Sequence, residues 1–202
     1  MDLDHNPIQE FQHWFYQAEQ SDEIGEVNAM LLTTIGEDAS PKSRMVLLKR
    51  FTWEGFLFFT NYTSEKGRAI ARNPNVSLHF NWQEIDCEIH IQGKAEKLPR
   101  SVSEAYFLQR PAGSQLGAWA SAQGSQLNSR IALEDRLLYF EKKFKNKPIP
   151  MPKHWGGYLV KPKSFDFICY SSVGIRKTIH YQLEKNYTWS KHVQHGFDLF
   201  EL

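Results

Sequence analysis

Apolar positions recur along the chain in two rhythms. After Asn6-Pro7, the residues Ile8, Phe11, Phe15 and Ala18 fall on one helical face, and Asn6 with Pro7 supplies the chemistry that starts a helix. The rhythm then shortens to two. NAMLLTTIG and KSRMVLLKRF flank the turn-rich GEDASP, which predicts a hairpin, and FLFFTN predicts a third strand after the turn at WEG. Within KSRMVLLKRF, Arg44, Val46 and Leu48 share one face and Met45, Leu47 and Lys49 the other, so among these six residues each face carries one cation at an end. SEKGRAIARNP predicts a short helix capped by Ser64 and stopped at Asn73-Pro74. NVSLHFNW and DCEIHIQGKAEKL are strand-like, the second alternating Cys87, Ile89 and Ile91 with Glu88, His90 and Gln92. Helices are predicted for SVSEAYFLQR and LNSRIALEDRLLYFEKKF. Between them Pro111, Gly113 and Gly117 predict irregular backbone. KPIPMPKHW reads as a rigid connector, and GGYLVKPKSFDFICYS, IRKTIHYQLE and NYTWSKHVQ as closing strands.

Six to eight mostly antiparallel strands with inserted helices, and no βα alternation behind a Gly-rich turn, argue against a Rossmann sheet. They favour a mainly β (α+β) fold, a closed or split β-barrel with peripheral helices. At 202 residues, Met1 to Leu202 is expected to form a single domain. The net charge of +1 gives no whole-protein field for nucleic acid or an anionic membrane, so any anion binding must be local. No segment approaches the roughly 18 apolar residues of a membrane helix, and a cytoplasmic protein is expected. Cys87 and Cys169 lack a CxxC partner and are expected as buried free thiols. His192 and His195 form an HxxH pair without an apparent third ligand, so surface imidazoles and no metal are expected.

Two features bear on function. Aromatic residues reach 14%, which suits a large core and also a site for a flat heteroaromatic ligand. Tyr106 and Arg110 stand four apart at the end of a predicted helix, and Ser114 follows the turn at Pro111. A guanidinium fork and two hydroxyls suit a phosphate, although the same trio also occurs at ordinary helix ends.

RMVLLK at Arg44–Lys49, FFTNYTSEKG from Phe58, NPNVSLHF from Asn73, GKAEKL from Gly93, YFLQRPAGSQLGAWAS from Tyr106 and HWGGYLV from His154 occur in one order, from about Pro7 to Phe167. Together they resemble the pyridoxamine 5'-phosphate oxidase family, homodimeric flavoenzymes on an FMN-binding split β-barrel. The resemblance implies FMN contacts at Arg44, Met45, Val46, Leu47, Leu48, Lys49, Phe59, Thr60, Lys66, Glu88 and Gln123, with Arg44 and Lys66 at the flavin phosphate. It implies substrate-phosphate contacts at Lys49, Tyr106, Arg110 and Ser114. It points to no catalytic side chain.

Departures accompany it. Glu65 stands where the family commonly has Arg, Glu88 where it has Gln, Phe59 where it has Tyr, and Ile168 where it has a Trp beside the flavin. The family segment close to Arg-Leu-His-Asp-Arg, which embraces the substrate ring, falls on Gly174-Ile175-Arg176-Lys177-Thr178; a two-residue shift would offer Arg176 and His180 instead. The basic N-terminal segment and the Arg-Leu-x-Pro ending are missing. The expected activity is FMN-dependent oxidation of a phosphorylated B6-type substrate with altered recognition. The alternatives are a non-catalytic FMN or pyridoxal-phosphate binding protein and an FMN-dependent reductase of another substrate.

Overall fold

In the computed structural model, which describes residues 6–121, 129–171 and 174–197, helix α1 spans Pro7–Glu19. The Asn6 side chain accepts from the Ile8 N–H at 2.9 Å, and Ile8, Phe11, Trp14, Phe15 and Ala18 are buried. Strands β1 (Ala29–Ile35) and β2 (Pro41–Leu47) form the predicted hairpin, with Met30 opposite Val46 and Leu32 opposite Arg44. KSRMVLLKRF is not one strand. It breaks at Leu48-Lys49 and resumes as the short β3 (Arg50–Thr52), which pairs with β4 (Gly55–Asn61).

Helix α2 (Glu65–Arg72) begins at the Ser64 cap, whose hydroxyl accepts from the Gly67 N–H at 3.3 Å. A Cβ at Gly67 would stand 2.4 Å from the Tyr62 carbonyl oxygen, so only glycine lets the helix start this close to the end of β4. Strands β5 (Asn75–Trp82) and β6 (Cys87–Lys97) follow, then α3 (Arg100–Gln109), α4 (Ala112–Ala120), α5 (Arg130–Lys143), β7 (Trp155–Tyr170), β8 (Ile175–Leu183) and β9 (Trp189–Phe197).

All pairings are antiparallel, in the order β2-β1-β5-β6-β7-β4-β3, with β8 and β9 branching from β7. The branch is possible because β7 is 16 residues long: its first part pairs with β4 and its last part with β8. Pro162, without an N–H for the ladder, sits opposite Gly93 where the β6–β7 register shifts between Gln92 and Gly93.

The helix α4 overturns the expectation of irregular backbone. Pro111 stands just before the helix, where its missing N–H removes nothing, and Gly113 and Gly117 face open space with nothing within 4 Å. Their helix penalty of about 1 kcal/mol each is offset by burying Gln115, Ala118 and Ala120. Cys87 and Cys169 are cross-strand partners on β6 and β7, free but half-buried, not fully buried as expected. Among the described residues no helix is long and apolar enough to cross a membrane.

The core is aromatic. The Phe11 ring lies 4.8 Å from Phe56, 5.0 Å from Phe51 and 5.1 Å from Phe80, all edge-on, and the residue has no exposed surface. A smaller cluster of Phe107, Ala118, Met151 and Trp155 anchors α3 and α4 to β7. Phe11→Ala should cost about 3–5 kcal/mol, read as a lower urea midpoint at unchanged slope. A loss below about 1 kcal/mol would mean that α1 does not hold the barrel shut.

Candidate functional site

The break at Leu48-Lys49 is where the site begins. The Leu48 N–H donates to the Asn28 carbonyl at 2.8 Å and the Leu48 carbonyl accepts from Asn28 Nδ2 at 3.0 Å, whereas the Lys49 N–H donates to the Leu57 carbonyl at 2.9 Å. Consecutive residues thus bond to opposite ends of the sheet. Before that crossing, β2 pairs only with β1, so on its other side the peptide groups of Met45 to Leu47 have no ladder to join.

A cleft of about 430 Å³ opens along this free edge. Its walls include Met45, Val46, Leu47 and Lys49 on one side and Phe59, Thr60 and Asn61 of β4 on the other. Lys66 of α2 contributes at one place, and Arg110, Ser114, Gly117 and Trp155 at another.

The cations of this cleft lack counter-charges. Arg110 leaves the helix because Pro111 forces the preceding residue into extended backbone, at φ −72° and ψ 149°. Its guanidinium lies 4.9 Å over the Trp155 ring, and its Nη1 is buried with no hydrogen-bond partner. Burial holds this group below its ordinary pKa. Burial, and then Arg44, push Lys66 down. Among the described residues, no carboxylate lies within ion-pair distance of Lys49, Lys66 or Arg110. Buried donors without partners are costly, so the arrangement suits an anionic ligand.

Arg44 does not line the cleft: its Nη1 donates to Thr34 Oγ1 at 2.7 Å and to the Lys42 carbonyl at 2.6 Å, and burial lowers its pKa. Glu65 turns away to Lys42 Nζ at 2.9 Å, a contact that holds its carboxyl below the usual range, and stays 3.9 Å from Arg44 Nη2.

The cleft brings together Met45, Val46, Leu47, Lys49, Phe59, Thr60, Lys66, Arg110 and Ser114 as the sequence predicts. It does not include the Leu48 side chain, which is 3% exposed and faces a second cavity of about 710 Å³. That larger cavity mixes Glu19 and Glu26 with Lys49 and Arg50 and so lacks an unbalanced charge. Tyr106 does not line the cleft either; its ring stacks 3.9 Å from Phe59 and supports that wall from behind. Glu88 lies elsewhere, bonded to His79, His90 and Tyr170. Gln123 lies outside the described residues. Arg176 is exposed on β8 and His180 Nδ1 is 2.6 Å from Asp166 Oδ1, so neither enters the cleft of its own chain. The sequence reading missed Asn61, Ser121 and Trp155 as wall residues, although Trp155 stands inside the HWGGYLV stretch.

The family described as pyridoxamine 5'-phosphate oxidase matches residues 16–143. A pyridoxine/pyridoxamine 5'-phosphate oxidase of Flavobacterium johnsoniae is 46% identical, over 92% of this chain and 86% of its own length. One of Acaryochloris marina is 49% identical, over 80% of this chain and 74% of its own. The solved structure of PhzG from Burkholderia lata, in complex with tetrahydrophenazine-1-carboxylic acid, superposes at a TM-score of 0.89 and 25% identity, covering 96% of this chain and 95% of that one. A pyridoxamine 5'-phosphate oxidase-related, FMN-binding protein of Nostoc punctiforme gives a TM-score of 0.73 at 13% identity, covering 92% and 95%, and so shares the split-barrel fold.

A cation held for a ligand is a burden without one. Lys66→Met should stabilise the ligand-free protein by roughly 0.5–1 kcal/mol, seen as a higher melting temperature, while weakening its affinity for inorganic pyrophosphate at least tenfold. A destabilised variant with unchanged anion affinity would remove Lys66 from the site.

Proposed function

The chain belongs to the pyridoxamine 5'-phosphate oxidase family, and we propose that its cleft holds FMN together with the phosphate of a pyridoxine- or pyridoxamine-5'-phosphate substrate. The observation that carries this reading is the buried, unpartnered Arg110 Nη1 at a wall shared with Lys49 and Ser114. When bound, FMN supplies a two-electron acceptor for oxidation at the substrate's 4' carbon, with dioxygen as the terminal oxidant.

The protein's own work is binding, orientation and exclusion of water. Arg44 and Lys66 would hold the flavin phosphate, and the free peptide edge of Met45 to Leu47 would offer donors and acceptors to the flat ring system. Phe59, stacked on Tyr106 at 3.9 Å with the near-parallel Trp155 ring beside it at 5.2 Å, and Thr60 form the facing wall. Lys49, Arg110 and Ser114 would take the substrate phosphate, with Ser114 in the first turn of α4 where free N–H groups favour anions. Glu88 is left out of this assignment because its carboxylate is already engaged outside the cleft.

A homodimer forms part of the reading. Met45 and Leu47, 61% and 37% exposed beside the cleft, and Ile131, Leu138 and Tyr139 on α5 are large apolar side chains that a second copy would cover. The engagement of His180 by Asp166 favours a second reading for the substrate ring, namely a related flat heterocycle in place of the pyridine. PhzG, whose structure holds such a compound, makes this the alternative to test.

Anaerobic addition of pyridoxamine 5'-phosphate to the flavin-loaded protein should bleach the oxidised-flavin absorbance. A flavin that stays oxidised would overturn the B6 assignment and turn the search to other heterocycles. Arg110→Ala should raise KM for pyridoxamine 5'-phosphate about 30- to 100-fold, or 2–3 kcal/mol, and change little for the unphosphorylated amine. Equal losses for both would sink the phosphate role.

A further inference from the structure

On the face of the sheet turned toward α1, β6 and β7 bring together the two cysteines of the chain. Cys87 is the first residue of β6 and lies directly opposite Cys169, the last residue but one of β7. Glu88 and Ile168, the neighbouring positions that the resemblance sets beside the flavin, alternate to the opposite face. The cysteines instead pack at the margin of the aromatic core to which Phe11 and Trp14 of α1 belong, and both are half-buried. The backbone fixes how close they stand. The Tyr170 N–H donates to the Asp86 carbonyl at 3.0 Å, so Asp86 and Tyr170 form a hydrogen-bonded rung, and the next pair inward, Cys87 and Cys169, a non-hydrogen-bonded one. Pairs of that kind have Cα atoms about 4.5 Å apart and the closest side chains of a ladder, and a disulfide spans about 4.4–6.8 Å between Cα atoms. The register therefore holds the two sulfurs within bonding reach.

We propose that Cys87 and Cys169 are a reversible dithiol–disulfide pair, oxidised by hydrogen peroxide, whose bond pins the end of the β6–β7 ladder. The two thiols are not equivalent. Cys87 donates to the Cys169 sulfur, which keeps Cys87 protonated and raises its pKa, with burial and Asp86 adding to the effect. The same contact lowers the Cys169 pKa, helped by Lys177 directly across from it on β8 and opposed by burial and by Glu10 of α1. Cys169 is thus the attacking thiolate and Cys87 the thiol that resolves it.

In the first step the Cys169 thiolate attacks one peroxide oxygen, the O–O bond breaks, and the other oxygen leaves as hydroxide and takes up a proton to become water, which leaves a sulfenic acid on Cys169. In the second the Cys87 sulfur gives up its proton and attacks the Cys169 sulfur, the S–O bond breaks, and the departing hydroxide leaves with that proton as water. The two thiols lose two electrons and one peroxide becomes two waters. Both residues keep some exposure, which admits a molecule of that size. The new bond joins the first residue of β6 to the end of β7, where a ladder would otherwise fray first.

The proposal does not rest on the flavin reading, and its test needs no turnover. Reduced, flavin-loaded protein treated with a small excess of hydrogen peroxide should lose both thiols, as titrated with a thiol reagent after unfolding. Its mass should fall by two hydrogens, digestion without reductant should yield one peptide pair joined through Cys87 and Cys169, and dithiothreitol should restore both thiols. The oxidised form should melt about 5 °C higher or more, since a bond that closes so long a loop restricts the unfolded chain. In Cys87→Ser the reaction should stop at a sulfenic acid on Cys169 that dimedone traps, and the remaining thiol of Cys169→Ser should react about tenfold more slowly. Melting curves of the reduced variants identify any that fails to fold, and the wild-type thiol titration then decides. Survival of both thiols, a bond between two chains in place of one within a chain, an unchanged melting temperature, or equal reactivity of the two variants would overturn the proposal.

Discussion

The structure turns on a single peptide step. Leu48 is bonded to Asn28 on the β1 side and Lys49 to Leu57 on the β4 side, so the chain crosses from one end of the sheet to the other between two adjacent residues. The sheet is therefore joined at that point by covalent continuity and remains open ahead of it. At the far end of the opening, Lys42 on β2 meets Glu65 at the start of α2. A wedge bounded in this way has a free strand edge for one wall and β4 for the other, and unpaired peptide groups there tolerate a ligand far better than they tolerate an apolar cover. The split in the barrel and the binding cleft are one feature.

That geometry explains the charge distribution. Arg44, Lys66 and Arg110 are all held below their ordinary values chiefly by burial, which means that each costs folding free energy in the absence of a ligand. The aromatic core around Phe11 and the Phe59, Tyr106 and Trp155 stack offset this strain. Glu65 looks like an error in such a setting, an acid where the resemblance leads one to expect a base. Its pairing with Lys42 at 2.9 Å converts it into a strut that ties the two sides of the wedge, and leaves it at the longer distance of 3.9 Å from Arg44. Exposed ion pairs of this kind contribute little stability, and its value lies in where it fixes the Glu65 carboxylate.

How much of this could be read from the sequence depended on how local the cause was. Helix α1 and the β1–β2 hairpin were legible because Asn6, Pro7 and the GEDASP turn act within a few residues of themselves. The strand break at Leu48 was not legible, since Asn28, twenty residues away, sets it. Helix α4 was hidden by Gly113 and Gly117, whose local penalty is overcome by packing that only the folded chain reveals. Arg110 and Lys66 could be found from residue type and order, but not the facts that make them a site, namely that they are half-buried with no carboxylate at ion-pair distance among the described residues. The His79, Glu88 and His90 group depended on the β5–β6 register, which no single strand encodes. The cross-strand placement of Cys87 and Cys169 has the same origin.

The two ends of the cleft carry different information about what it takes. Lys49, Arg110 and Ser114 line the cleft within one chain, and a phosphate held there, as proposed, would supply binding energy remote from the reacting carbon. Binding energy of that kind can orient a ring without a dedicated clamp, provided that the walls are rigid and flat. Phe59, backed by Tyr106 and flanked by Trp155 with interplanar angles of 6° and 8°, is such a wall. Arg176 and His180 need not move into the cleft for a substrate to be positioned, and His180 is better explained as the partner of Asp166 on the outer face of the sheet. A site organised in this way would take its selectivity from the phosphate and from flatness more than from ring substituents. Tolerance toward neighbouring heterocycles is then a consequence of the fold, whatever residue stands where a ring clamp would be.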